Sequence, residues 1–158
     1  MRKIDYLLEE YGESHKNETN KAIHWICVPL IFLSVVGLIA SIPSGPVENI
    51  LGANPYSNWA FVLLVFVLVY YVTLSIPLSF GMLLFAVLCM YIVRLLAQSE
   101  IAPLWMISII IFVVAWIGQF YGHKVEGKKP SFLKDIQFLL IGPAWLMHFI
   151  YRKLRIPY

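Results

Sequence analysis

Four histidines, His15, His24, His123 and His148, are the residues of this sequence best suited to chemistry. Imidazole is the commonest metal ligand and the side chain whose charge ordinarily changes near neutrality. Asn20 and His24 are spaced i, i+4 and share one helix face. His15 and His24 stand nine residues apart, on opposite faces of any straight helix, so they converge only if the chain bends between them. Asn17-Glu18-Thr19-Asn20 offers both the break and a helix cap. Glu126 follows His123 at i+3, on the same face where the helix continues. Imidazole with carboxylate suits Fe(II), and a facial arrangement leaves coordination positions open. Spacing alone does not say whether Glu126 ligates or supports the ligands. The same set accommodates zinc, and two of the histidines would suffice for haem. Taken singly, each histidine also reads as an amphipathic interfacial residue with a wet tip, His148 beside Arg152 above all. Four histidines limit the chain to one metal ion.

The elements that must position these residues are membrane helices. Of 158 residues, 60% are hydrophobic and only 13% charged, with a mean hydropathy of +0.77. A soluble domain of this size keeps more charge, and long apolar blocks have their stable home in lipid. The expectation is one all-α domain over residues 1–158: a polytopic transmembrane helical bundle of four spans plus a C-terminal re-entrant or interfacial helix. The spans are placed at about 23–42, 59–76, 78–97 and 103–121. The shorter fifth segment, 136–151, is expected to break at Gly142–Pro143. Pro77 and Gly81 mark the turn between the second and third spans.

Lysines and arginines orient the bundle. Arg2, Lys3, Lys16 and Lys21 precede the first span, and Lys124, Lys128, Lys129 and Lys134 follow the fourth. The connection between the first two spans has neither residue type. Four spans put both basic ends on one side, which the positive-inside rule makes cytoplasmic. A re-entrant fifth segment returns the tail, with Arg152, Lys153 and Arg155, to that side. Arg94 is left at the outer end, where it would snorkel. All four histidines fall toward the cytoplasmic side and outside the middle of any continuous span.

Other classes find little support. The net charge of +3 is small and forms no basic stripe, which argues against nucleic-acid binding. Cys27 and Cys89 lie within apolar runs and read as small buried hydrophobes rather than a disulfide framework. The charged N-terminal stretch has no apolar core of the kind a cleaved signal peptide needs. There is no nucleophile elbow, no glycine-rich phosphate loop, and no inverted repeat of broken helices to suggest a transporter.

Several motifs resemble one family. Tyr11-Gly12-Glu13-Ser14-His15, continuing through Asn20-Lys21-Ala22-Ile23-His24 to Pro29, is similar to the opening of the membrane 2-hydroxy fatty acid dioxygenases. Gln119-Phe120-Tyr121-Gly122-His123, then Glu126-Gly127-Lys128-Lys129-Pro130-Ser131, and finally Gly142-Pro143 complete the likeness over nearly the whole chain. The resemblance implies an Fe(II)-dependent dioxygenase of fatty acid α-oxidation, converting a long-chain 2-hydroxy fatty acid and O2 to an acid one carbon shorter. It implies His15, His24 and His123 as catalytic metal-holding residues, with Asn20 and Glu126 as their motif neighbours. His148 joins the expected metal set, although many relatives carry a carboxylate near its position, so its part is open between ligand, substrate contact and bystander.

The residues agree with such a substrate. A long-chain 2-hydroxy acid is amphipathic, so its tail fits among the spans while its carboxylate stays at the basic surface. Its carboxylate and hydroxyl form a two-oxygen chelate for a metal that acts as template. Lys124, Lys128 or Lys129 could hold the carboxylate, although a positive-inside loop accounts for them equally. Two rivals are a zinc-dependent membrane lipid hydrolase and a non-enzymatic haem-binding membrane subunit. A small transporter or scaffold is a third. The expected location is a multi-pass position in a bacterial cell membrane, or the endoplasmic reticulum in a eukaryote. Membrane lipid is the surrounding partner, and neither chain-length preference nor oligomeric state is legible.

Overall fold

The computed structural model describes residues 2–127 and 132–158, excepting the side chains of 132–137. Among the described residues the chain is helical, with no strand. The helices are α1 (Lys3–Gly12), α2 (Glu18–Ala40), α3 (Gly45–Leu51), α4 (Trp59–Leu74), α5 (Ile76–Gln98), α6 (Leu104–Glu126) and α7 (Phe132–Lys153). Three of them, α2, α5 and α6, are long and apolar enough to cross a membrane. The remaining expected span is α4, whose 16 residues reach about 24 Å at 1.5 Å per residue, short of a hydrocarbon core of roughly 30 Å.

Local sequence explains the boundaries. Asn17 caps α2, its side chain accepting from the backbone N–H groups of Thr19 at 2.9 Å and Asn20 at 3.3 Å. Asn58 caps α4 in the same way through Ala60 and Phe61. Such caps satisfy N–H groups that have no partner within their own helix. The turn before α5 falls at Ser75, earlier than the Pro77–Gly81 turn expected, and Pro77 lies in the first turn of α5. Proline is tolerated there because an N–H would lack a helical partner anyway.

α1 is amphipathic: Ile4, Leu7, Leu8 and Tyr11 are buried at i, i+3, i+4 and i+7 and pack against α7. Arg2 supports this docking with an ion pair to Asp5 at 2.8 Å and a hydrogen bond to the Tyr158 carbonyl. The same guanidinium, through its hydrogen bonds, holds the Asp5 carboxyl below its usual range.

α2 is the central helix and packs most extensively on α6, while also meeting α4, α5 and α7. The α2–α6 pair is antiparallel and held close by small residues at three levels. A Cβ on Gly37 would lie 2.3 Å from Ser108 Oγ, one on Gly118 2.6 Å from Cys27 Sγ, and one on Gly122 2.4 Å from Asn20 Oδ1. Lipid tails are as apolar as leucine, so helices associate by this kind of close fit rather than by excluding water.

The fifth segment differs from expectation. α7 runs without interruption through Gly142 and Pro143, so the break anticipated there does not occur. Gly142 instead lets α7 approach its neighbours, since a Cβ would come 3.0 Å from Val28 and 3.1 Å from the Tyr11 hydroxyl. Tyr71 donates a hydrogen bond to the Leu140 carbonyl at 2.6 Å, three residues before the proline.

The α2–α6 contact gives a direct test. Gly37→Val should lower stability by about 1–3 kcal/mol, the usual cost of overpacking, read as a reduced thermal midpoint in detergent. Gly37→Ala should cost less, and adding Ser108→Ala should restore part of that loss. An unchanged midpoint in Gly37→Val would show that the two helices do not approach so closely.

Candidate metal centre

The bend required by the nine-residue separation of His15 and His24 is present. α1 ends at Gly12, and the backbone turns through Ser14 N–H to Tyr11 C=O and His15 N–H to Gly12 C=O. α2 then restarts behind the Asn17 cap. His15 thereby swings back over the first turns of α2, toward His24. His123 arrives from the last turn of α6, which Gly127 closes in the left-handed conformation at φ 74°.

The three imidazoles form one cluster, with a ligating atom from each within 4.8 Å of the others. Ring centroids are separated by 4.1 Å for His15–His24, 5.1 Å for His24–His123 and 5.6 Å for His15–His123, all with steep interplanar angles. His15 and His24 are 3% and 1% exposed. Their ring orientations are set from behind. His15 Nδ1 faces the Tyr11 carbonyl at 2.6 Å and His24 Nδ1 faces the Asn20 carbonyl at 2.9 Å. A nitrogen facing a carbonyl carries the hydrogen, so the Nε2 lone pair is left for a metal in both rings.

The donor set fits a divalent first-row ion. Bonds to imidazole of about 2.0–2.1 Å place nitrogens roughly 3–3.5 Å apart around one ion, a modest contraction of the cluster. His148 does not join it. The His148 ring contacts Phe149 and Tyr158, and its Nδ1 is hydrogen-bonded to the Tyr158 hydroxyl. It is therefore set aside as a ligand in this arrangement.

Glu126 lies beside the centre and is bonded to the chain around it. Its carboxylate accepts from the backbone N–H of Lys16 at 3.0 Å, that of Asn17 at 2.9 Å, and Asn20 Nδ2 at 3.1 Å. These bonds engage both oxygens and tie the end of α6 to the α1–α2 bend. Asn20, fully buried, completes the tie: its Nδ2 also donates to the Ser14 carbonyl at 3.1 Å. Its backbone carbonyl is the one facing His24. Lys124 is exposed in the last turn of α6, whereas Lys128 and Lys129 fall outside the described residues.

Two neighbours went unnoticed in the sequence reading of the site. The Tyr11 ring stacks on His15 at 4.2 Å and 12°, and the Trp145 ring approaches it at 5.3 Å. The i, i+4 spacing of Tyr11 and His15 was a usable signal for the first; no local pattern announces the second.

Comparison with known families decides the affiliation. A family model described as 2-hydroxy-palmitic acid dioxygenase Mpo1-like matches residues 1–154. The chain belongs to the Mpo1-like family. No curated protein and no solved structure matches it. Membership agrees with the resemblance carried by the motifs around His15, His24 and His123, and these are the histidines that converge.

The Glu126 contacts separate a positioning part from a ligating one. Glu126→Ala should weaken Fe(II) or Co(II) binding about 10- to 100-fold, as loss of a supporting contact does, with Glu126→Gln falling between it and wild type. His24→Ala should bind no metal at all. Equilibrium dialysis under anaerobic conditions distinguishes them: binding lost as completely in Glu126→Gln as in His24→Ala would make Glu126 a ligand.

Proposed function

We propose that this Mpo1-like chain is an Fe(II)-dependent dioxygenase that converts a long-chain 2-hydroxy fatty acid and O2 to a fatty acid one carbon shorter. The observation that carries the reading is the buried triad His15, His24 and His123, with its ring orientations already set, in a chain of this family. These three imidazoles would hold the metal. When bound, iron supplies the one-electron chemistry that lets O2 react with an organic substrate.

The remaining work falls to the chain. Tyr11 and Trp145 wall the His15 side of the centre and exclude water from it. Glu126 and Asn20 hold the α1–α2 bend, so that His15 need not search for its place. Lys124 stands one residue beyond His123 at the polar end of α6 and attracts the substrate carboxylate. The tail then runs among the apolar helices, which selects long chains over short ones. Atom balance with one O2 leaves the lost carbon as CO2, with one water: RCH(OH)COOH + O2 → RCOOH + CO2 + H2O. The basic residues flanking α2 and following α6 support a cytoplasmic position for the centre.

Three neutral imidazoles also suit zinc, and a zinc-dependent lipid hydrolase is the reading to set against this one. Oxygen consumption separates the two, because hydrolysis needs none. The experiment supplies detergent-purified, Fe(II)-loaded protein with 2-hydroxypalmitate and O2 and analyses the products. Pentadecanoate should appear, disappear on chelation, and be absent with His24→Ala or His123→Ala protein of unchanged thermal midpoint. No product from protein shown to hold iron would overturn the assignment.

A further inference from the structure

At the end of the bundle opposite the histidines, the structure contains an arginine whose environment the proposed reaction does not use. The antiparallel pairing of α2 with α6 puts Asn20 and Gly122 at one end and Gly37 and Ser108 toward the other. The connection from α2 to α4 lies at that second end, pinned by a hydrogen bond from Trp59 Nε1 to the Pro43 carbonyl at 3.0 Å. Tyr56 belongs to this connection. Arg94, near the end of α5, donates to the Tyr56 hydroxyl at 3.0 Å and lies 5.4 Å from its ring centroid.

Arg94 is the lone Asp, Glu, Lys or Arg within α4 and α5. Among the described residues no carboxylate forms an ion pair with it; the pairs present join Arg2 to Asp5 and Lys21 to Glu18. Arg94 stands one turn from the end of α5, where a long basic side chain reaches the interface and the phosphate level of the leaflet. A tyrosine hydroxyl and ring orient the guanidinium without neutralising it.

Next to this cation runs an apolar groove. A cavity of about 430 Å3 lies between α4 and α5, lined by residues including Tyr56, Leu64, Leu68, Leu83, Val87 and Tyr91. That volume falls within the range of roughly 300–1,000 Å3 usual for ligand sites. Val87, Tyr91 and Arg94 follow one another at helical spacing, so the guanidinium continues the stripe that lines the groove. Tyr56 belongs to both, lining the groove and holding Arg94. Val87 and Tyr91 are themselves exposed, so the groove opens toward lipid rather than into the core.

We propose that the α4–α5 groove is a binding site for an anionic phospholipid of the leaflet opposite the histidine centre. One acyl chain lies in the groove, and the phosphodiester pairs with Arg94 and accepts from the Tyr56 hydroxyl. Guanidinium matches a phosphate bidentately, and a zwitterionic lipid offers the same phosphate with its charge already offset by the choline. The site therefore discriminates by headgroup charge. It also completes a helix hairpin whose first member, α4, is too short to span alone. The lipid fills the groove that the short helix leaves beside α5.

The test measures thermal midpoints of the full chain in nanodiscs of phosphatidylcholine with and without phosphatidylglycerol, together with native mass spectrometry of retained lipid. Phosphatidylglycerol should raise the wild-type midpoint by about 3 °C or more and remain bound. Arg94→Gln should abolish the preference between the two lipids. Val87→Trp, which fills the groove and leaves the guanidinium in place, should lose retained lipid as well. Equal midpoints in the two compositions for wild type, or an undiminished preference in Arg94→Gln, would overturn the proposal. So would retention of free palmitate in place of phosphatidylglycerol.

Discussion

The distance between α2 and α6 governs the rest of this molecule. At the level of Gly122 there is no room for a methyl group, because Asn20 Oδ1 already occupies the space where a Cβ would sit. That contact determines more than helix packing. Asn20 reaches Ser14 and Glu126 with its side chain and faces His24 with its carbonyl. A slightly wider separation would release Asn20, and with it both the α1–α2 bend and the orientation of His24. Close packing between small residues, the main source of helix association in lipid, is therefore also what brings histidines from opposite ends of the sequence together.

The electrostatics of the helix ends reinforce the same junction. A carboxylate at the last position of a helix is unfavourable for that helix, whose C-terminus carries partial negative charge. Glu126 occupies such a position in α6. Its oxygens, however, face the backbone N–H groups of Lys16 and Asn17, immediately before α2, whose N-terminus carries partial positive charge. Hydrogen bonds to a charged group contribute about 1.5–3 kcal/mol each, more than the unfavourable end effect of about 0.3–1 kcal/mol. The balance favours joining the two helix ends over spacing them apart. The polar end of the bundle is thus organised by the chain's own groups.

Much of this was legible in the sequence because it rests on local chemistry. Apolar blocks gave α2 and α4 to α7, though not α1 or α3; Asn17 gave the restart of α2, and the wrong faces of His15 and His24 demanded the bend that is found. The convergence of His15, His24 and His123 followed from motif order and membrane sidedness. What was not legible depends on contacts distant in sequence. Gly142–Pro143 has the local signature of a break, yet the residues packed and bonded beside it, Tyr71 and Tyr11, lie about 70 and 130 positions away. His148 has the residue type of a ligand, but its partner Tyr158 lies on a tail whose course no periodicity predicts. Glu126 has the spacing of a ligand at i+3 from His123; its actual partners are two backbone N–H groups and one amide, for which sequence has no marker.

The prolines reveal how the outer helices are attached to this frame. A proline leaves a helix with an unbonded carbonyl one turn earlier, and in lipid such a group must find another donor. Near Pro143, Tyr71 of α4 bonds the Leu140 carbonyl of α7, one residue beyond the Leu139 carbonyl that the proline deprives of its helical N–H. At Pro77 the relation is reversed: Tyr151 of α7 donates to the Pro77 carbonyl at 2.7 Å and accepts from Gly81 N–H at 3.0 Å. Those two backbone groups stand four residues apart, the pair that a helix ladder joins, and the Tyr151 hydroxyl bridges them. Gly81 leaves room for this, since a Cβ there would lie 3.0 Å from the Tyr151 ring and closer still to Met147. Tyrosines of the facing helices thus bond the backbones of α5 and α7 beside their prolines. They hold the α4–α5 hairpin to α7, α7 in turn carries Trp145 to the His15 ring, and the histidine cluster is walled by a helix that the hairpin keeps in place.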